Sequence, residues 1–286
     1  MISEAEFITN PDGSIYHLQL LPEEIADIIF TVGDPERVPE VSKYFDEIEL
    51  SRSHREIVTH TGYIGKKRVS VISTGMGTDN IDIVMNELDA LVNIDFKTKE
   101  VKPQTKQLTF VRIGTSGSIQ QHLPLDTILI SEKAVGLDTL MNYYRHTPSD
   151  NLFEKNVANF IAESELNLPF YTADASHELI TVFSDFERGV TLSAPGFYAP
   201  QGRQLRTKPA KENLVQKLSS FKHQNLSFTN LEMETAGIYA LGKILGHRCL
   251  SVNALIANRI DGSFSKNPKQ TVETMIKKVL ERTEYL

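Results

Sequence analysis

Three glycine-bearing segments follow short apolar, β-branched runs: Gly33-Asp34-Pro35-Glu36-Arg37, Gly75-Met76-Gly77 and Arg112-Ile113-Gly114-Thr115-Ser116-Gly117. Glycine lets successive backbone N–H groups converge, and arginine adds a planar fork of donors, so together they suit an oxyanion such as phosphate. Any one of them alone reads equally as an ordinary strand-ending turn, because glycine and proline are common there. Three in one chain, two with arginine, favour the oxyanion. Glu232-Met233-Glu234 reads as the opening of a helix, where the dipole favours acids whatever their function. A glutamate there can also accept hydrogen bonds from two adjacent sugar hydroxyls. Phe197-Tyr198-Ala199-Pro200-Gln201-Gly202-Arg203 sets an aromatic face beside an amide and a guanidinium. Gln201 donates and accepts while Arg203 only donates, a set that can read the carbonyl and N–H edges of a flat ring. The same segment is also what a surface loop with one anchoring aromatic looks like.

Other chemistries lack their residues. Gly75-x-Gly77-x-x-Asn80 misses the third glycine of a dinucleotide fingerprint, and its strand follows a hairpin where that motif needs a βαβ opening. No histidine or cysteine pair has zinc-ligand spacing, and no Gly-x-Ser-x-Gly elbow occurs.

The elements that must position these segments alternate between strand and helix. Ile28–Val32 reads as a buried strand, and Ile57–Thr61 with Val69–Thr74 as a hairpin around Gly65-Lys66-Lys67. Ile81, Val84, Met85, Leu88 and Leu91 fall at helical spacing, predicting a helix from about Asn80 to Val92. Leu108–Ile113 is a strand expected to end in a turn at Gly114–Gly117. Thr127–Ile130, Gly189–Ser193 and Cys249–Ile256 are further strands. Met233–Leu245 is a helix ended by Gly246, and a last helix opens at Asn267-Pro268 and runs to about Glu281. Lys97–Lys106 is polar and reads as a surface insertion. Alternating strands and helices imply a mainly α/β sheet with an antiparallel hairpin, in one domain over residues 1–286.

Composition narrows the partners. The chain has 286 residues, 40% of them hydrophobic, and a net charge of −7, which argues against nucleic acid as the main partner. One cysteine, Cys249, cannot form an internal disulfide, which fits a reducing cytoplasm. The N-terminal residues lack the basic-then-apolar pattern of a signal peptide, and no apolar run reaches the roughly 20 residues of a membrane span.

Together with Ser53-His54-Arg55-Glu56, these segments come in an order that resembles the nucleoside phosphorylase superfamily, from about Tyr16 to Asn258. Phe197, Gln201 and Arg203, spaced as Phe-x-x-x-Gln-x-Arg, are similar to its uridine phosphorylase branch. The resemblance implies a three-layer α/β/α sandwich around a mixed, partly barrel-like sheet, assembled as a homodimer or a hexamer of three dimers with shared sites. It implies phosphate binding by Gly33, Arg37, Arg112 and Thr115, with Arg55 supplied by a neighbouring subunit. Met233 and Glu234 would hold the ribose, Glu232 would line the pocket, and His17 would reach the ribose 5′-hydroxyl across the dimer. Phe197, Gln201 and Arg203 would take the base, supported by Arg259. Arg112, Glu234, Gln201 and Arg203 would carry the catalysis. No cofactor or metal is expected, since inorganic phosphate is a co-substrate; a monovalent cation at Glu56 is not claimed. Asp79-Asn80 departs from the superfamily's Pro-Ser and puts an acid near the anion. The strand Cys249–Ile256 leads into Ala257-Asn258-Arg259, where purine-specific relatives carry an aspartate. Purine phosphorolysis, hydrolysis and non-catalytic nucleoside binding are the alternatives, and Asp261 keeps the purine option open.

Overall fold

The structure is a computed structural model that describes residues 2–286. Strand β1 (Ile28–Val32) leads through helix α1 (Arg37–Ser42) into β2 (Glu47–His54), β3 (Ile57–Ile64) and β4 (Lys67–Ser73). Helix α2 (Thr78–Asn93) precedes a small hairpin, β5 (Ile94–Asp95) and β6 (Glu100–Val101). Next come β7 (Thr109–Ser118), β8 (Ile128–Gly136), α3 (Asn151–Glu163), β9 (Tyr171–Asp174) and α4 (His177–Val182). The last third holds β10 (Glu187–Ser193), α5 (Leu214–Ser219), β11 (Phe228–Glu232), α6 (Thr235–Leu245), β12 (Arg248–Asn258) and α7 (Pro268–Leu280).

All strands but β5 and β6 join one ten-stranded sheet, with β9 paired to β8. β1 runs parallel to β4 and β7, β7 to β12, β8 to β10 and β10 to β11. The β12–β8 pair is antiparallel. Antiparallel pairing of β11 with β7, Leu231 opposite Gly117, then closes β7, β12, β8, β10 and β11 into a barrel. This is the mixed, partly barrel-like α/β sandwich implied by the motifs.

The helices form because their apolar positions share a face. On α2, Ile81, Val84, Met85, Leu88 and Leu91 are all buried, and α2 packs on α6. Gly237 sets that approach: a Cβ there would lie 3.0 Å from Thr78 Cγ2. A second apolar cluster forms under α3 and α5, where Phe221 and Phe228 stack with centroids 4.0 Å apart.

Two expectations are corrected. Gly114–Gly117 is not a turn; β7 runs on to Ser118, bonded throughout to β12. The glycines serve close approach, since a Cβ on Gly114 would sit 1.7 Å from Arg112 Nη1. Glu232 is not in a helix but ends β11, and α6 begins at Thr235. The Lys97–Lys106 stretch contains β6 of the exposed hairpin and continues as irregular surface chain.

Candidate active site

A cavity of about 700 Å³ opens at the carboxyl ends of β1, β4, β7, β11 and β12, the end of an α/β sheet where ligands gather. Gly33, Arg37, Arg112, Thr115, Glu232, Met233 and Glu234 line it, together with Phe197, Gln201 and Arg203. Segments as far apart in sequence as Gly33 and Glu234 thus meet in one place.

Arg112 is buried, with a side-chain exposure of 6%. Its Nη2 donates to Glu234 Oε2 at 2.5 Å and lies 3.1 Å from Glu232 Oε2. Its Nη1 donates to Asn253 Oδ1 at 3.0 Å. Burial pulls against the guanidinium's charge, but the two carboxylates win and hold its pKa above the ordinary arginine value. Arg37 is less favoured: burial, then the charge of Arg112, lowers its pKa. Arg37 and Arg112 repel each other in one pocket, and a bound anion between them would relieve that repulsion.

Glu234 accepts from the Gly77 N–H at 2.8 Å, tying the Gly75-Met76-Gly77 turn to the start of α6. Both glycines of that turn have φ in the left-handed region, +72° and +90°, where a side chain is strained. Burial pushes Glu234 above the usual carboxylate range, against the pull of Arg112. Glu232 has a different job. Its carboxylate accepts from the N–H groups of Glu234 and Thr235 and from Ser193 Oγ at 2.5 Å, so it anchors the start of α6.

Arg203 and Phe197 also line the cavity, and the Arg203 guanidinium stacks 3.7 Å from the Phe197 ring centroid. Its Nη1 donates to Gln201 Oε1 and to the Phe197 carbonyl, both at 2.7 Å. Gln201 is buried at 3% exposure, whereas Phe197 stands half open at 51%. Burial, then the charge of Arg259, brings Arg203 down to about 10, still cationic at neutral pH. Arg259 sits behind Gly117, where a Cβ would lie 3.2 Å from its Cγ, and its buried Nη1 has no hydrogen-bond partner among the described residues. Leu231, Ile256, Ala257 and Phe264 supply the apolar wall.

His17 and Arg55 do not line this cavity. His17 Nδ1 is 2.5 Å from Glu87 Oε1 on α2, and Arg55 lies over the Tyr16 ring at 5.8 Å. His54 Nδ1 bonds the His17 carbonyl at 3.0 Å, so these residues form one surface cluster. Asp79 is exposed and outside the lining, while Asn80 lines the cavity and donates to the Met76 carbonyl at 3.2 Å. The feared acid therefore faces away. Glu56 lines the cavity too, but among the described residues no group of three or more His, Cys, Asp or Glu is placed to hold a metal ion. Sequence reasoning missed Asn253 and Ser193. Asn253 had a signal, a polar residue inside an otherwise apolar strand run, whereas Ser193 is the last residue of its strand and had none.

The fold and cavity define an α/β protein with one site lined by Arg37 and Arg112 and by Phe197, Gln201 and Arg203. The family model of the phosphorylase superfamily matches residues 27–285. A uridine phosphorylase from Thermococcus kodakarensis is 31% identical over 92% of this chain and 84% of its own length. One from Haemophilus influenzae is 29% identical over 96% of this chain and 99% of its own. A solved nucleoside phosphorylase from Trypanosoma brucei, described as showing uridine phosphorylase activity, superposes with a TM-score of 0.87 at 28% identity, covering 97% of this chain and 98% of its own. The chain belongs to the phosphorylase superfamily.

Proposed function

We propose that this protein is a pentosyltransferase catalysing the reversible phosphorolysis of uridine to uracil and ribose 1-phosphate, in pyrimidine salvage. The observation that carries this reading is a single cavity lined both by Arg37 and Arg112 and by Gln201 and Arg203, with Arg203 stacked on Phe197. The named activity of the relatives supports it.

In this reading, phosphate is held by Gly33, Arg37, Arg112 and Thr115, directly beside the sugar. Fixing it there converts a bimolecular encounter into an oriented one. Glu234, kept in place by Arg112 and the Gly77 N–H, accepts from ribose hydroxyls, and Met233 packs on the sugar. As the C–N bond lengthens, the sugar gains positive character and the leaving uracil negative charge. The nearby phosphate balances the first, and Gln201 with Arg203 the second. Arg259 reinforces those two.

The purine option loses its acid. Asp261 is exposed, and its hydrogen bonds from Ser263 lower its pKa, so it is a poor proton donor outside the lining. Asn258 is buried and committed to Gln120 and Ile260. The reading further takes residues 1–286 as one domain, working in the cytoplasm with nucleoside and phosphate, and without nucleic acid, membrane, cofactor or metal. Among the described residues no helix is long and apolar enough to cross a membrane. It also takes the assembly as a homodimer or hexamer in which Arg55 and His17 complete a neighbour's site.

The test is to incubate the protein with uridine, thymidine and inosine, with and without phosphate, and follow free base. Uracil release that requires phosphate is expected. Release in phosphate-free buffer would mean hydrolysis, and a preference for inosine would overturn the base assignment.

A further inference from the structure

From Cys249 to Ile256, β12 is apolar except at Ser251 and Asn253, both 0% exposed. An amide is tolerated in such a core only if its donors and acceptor are met. Asn253 meets them with two serines and Arg112. Its Nδ2 donates to Ser131 Oγ and Ser251 Oγ, each at 3.1 Å, and its Oδ1 accepts from Arg112 Nη1. Arginine offers no acceptor, so the amide oxygen must be the end that faces it. The serines are themselves held: Ser131 Oγ pairs with Thr191 Oγ1 at 2.6 Å, and Ser251 Oγ accepts from Thr235 Oγ1 at 2.9 Å. A buried row of hydroxyls therefore ends on the guanidinium.

What the guanidinium has left follows from a count of its hydrogens. Nη2 donates to Glu234 and is ion-paired with Glu232 at 3.1 Å, and one Nη1 hydrogen goes to Asn253. Nε–H and the second Nη1–H remain for a ligand. Charge matters as much as direction. Asp34, Glu56, Glu232 and Glu234 already line the cavity with Arg37, Arg112 and Arg203, so a further carboxylate against Arg112 would add negative charge where phosphate is to bind. An amide holds the guanidinium edge without adding that charge.

We propose that Asn253 is a positioning residue for phosphate: a neutral acceptor that fixes the Arg112 guanidinium edge and keeps its charge available to the anion. The inference rests on the phosphorolytic reading and deepens it. It also separates two jobs along one strand, since the apolar neighbours Val252 and Ala254 are fully buried parts of the core.

The experiment compares Asn253→Asp and Asn253→Ala with the native protein, varying phosphate at saturating uridine and uridine at saturating phosphate. Asn253→Asp should raise KM for phosphate about tenfold or more, because it sets a like charge within a few ångströms of the anion in a poorly hydrated site. Asn253→Ala should raise it less, by about threefold, since it frees the guanidinium without opposing it. KM for uridine should stay constant in both. Equal changes in the two KM values, or a loss confined to kcat, would mean that Asn253 only supports the fold, and the inference fails. If both variants fail to fold, Ser131→Ala removes one anchor of the amide; its KM for phosphate should rise about twofold, and an unchanged value sinks the idea. Phosphate binding is measured by calorimetry on the same proteins. A native protein that binds phosphate but does not cleave uridine refutes the functional reading, while weaker phosphate binding in Asn253→Asp still upholds the inference.

Discussion

At the scale of single residues, the two arginines of the cavity differ in what else depends on them. Arg37 makes one long hydrogen bond, 3.5 Å from Nη1 to the Ile113 carbonyl, and no ion pair among the described residues. Arg112 is clamped between Glu232 and Glu234. From sequence, losing either arginine reads as a loss of phosphate use without unfolding; the buried ion pairs change that for Arg112. Arg37→Ala should raise KM for phosphate and leave the melting temperature nearly unchanged. Arg112→Ala strands two buried carboxylates and should cost about 3–5 kcal/mol in denaturant unfolding. Equal stability in the two variants would refute that distinction. Glu234 gives a pH prediction. Burial raises its pKa above 4.5, so protonation begins at a higher pH than for an exposed glutamate. The ionised form accepts from the sugar, and it is lost as pH falls through that raised value. The kcat/KM for uridine should therefore drop on an acid limb lying above pH 4.5, with phosphate saturating. A profile flat down to the pKa of an ordinary glutamate would remove Glu234 from the ribose site.

At the scale of elements, legibility followed burial pattern. β1 is buried at every position, so its apolar run marks both ends, Ile28 and Val32. The hairpin of β3 and β4 and helix α2 were equally readable, because alternation and helical spacing survive in the residues themselves. β2 was not: nearly all its positions are exposed, so no apolar period reports it. The β7 extension through Gly114–Ser118 was misread because glycine signals both a turn and a close approach, and only the Arg112 side chain shows which applies. The mixed character of α6's entry has a similar origin. Glu232 and Ser193 are the last residues of neighbouring parallel strands, paired at the end of their register. Ser193 Oγ donates to Glu232 Oε1 and accepts from the Ala236 N–H at 2.8 Å, so one hydroxyl joins β10, β11 and the first turn of α6. Removing it leaves a helix N–H unmet. Ser193→Ala should destabilise the protein by about 1–2 kcal/mol, as loss of a helix cap does; urea unfolding measures it. A change within a few tenths of a kcal/mol would show that water replaces the hydroxyl.

At the scale of the whole molecule, most of the site was readable because its residues sit in short local motifs, yet their meeting depends on barrel closure, which no local motif encodes. Arg55 and His17 show the limit of a single chain. Both belong to the surface cluster around Tyr16 and His54, away from the cavity of their own chain. If Arg55 serves a neighbour's site, as proposed, two different inactive chains can repair each other. Arg55→Ala keeps an intact cavity but sends no arginine across; Gln201→Ala sends the arginine but cannot read the base. In a two-fold dimer of one chain of each kind, one site receives both defects and the other receives none. Co-refolding the two variants in equal amounts should therefore restore uridine cleavage to about a quarter of native, since half the dimers are mixed and each has one whole site. Arg55 acting within its own chain would make every site in the mixture carry a defect. The mixture would then show only the average of the two variants, and the shared-site assembly would have to be abandoned.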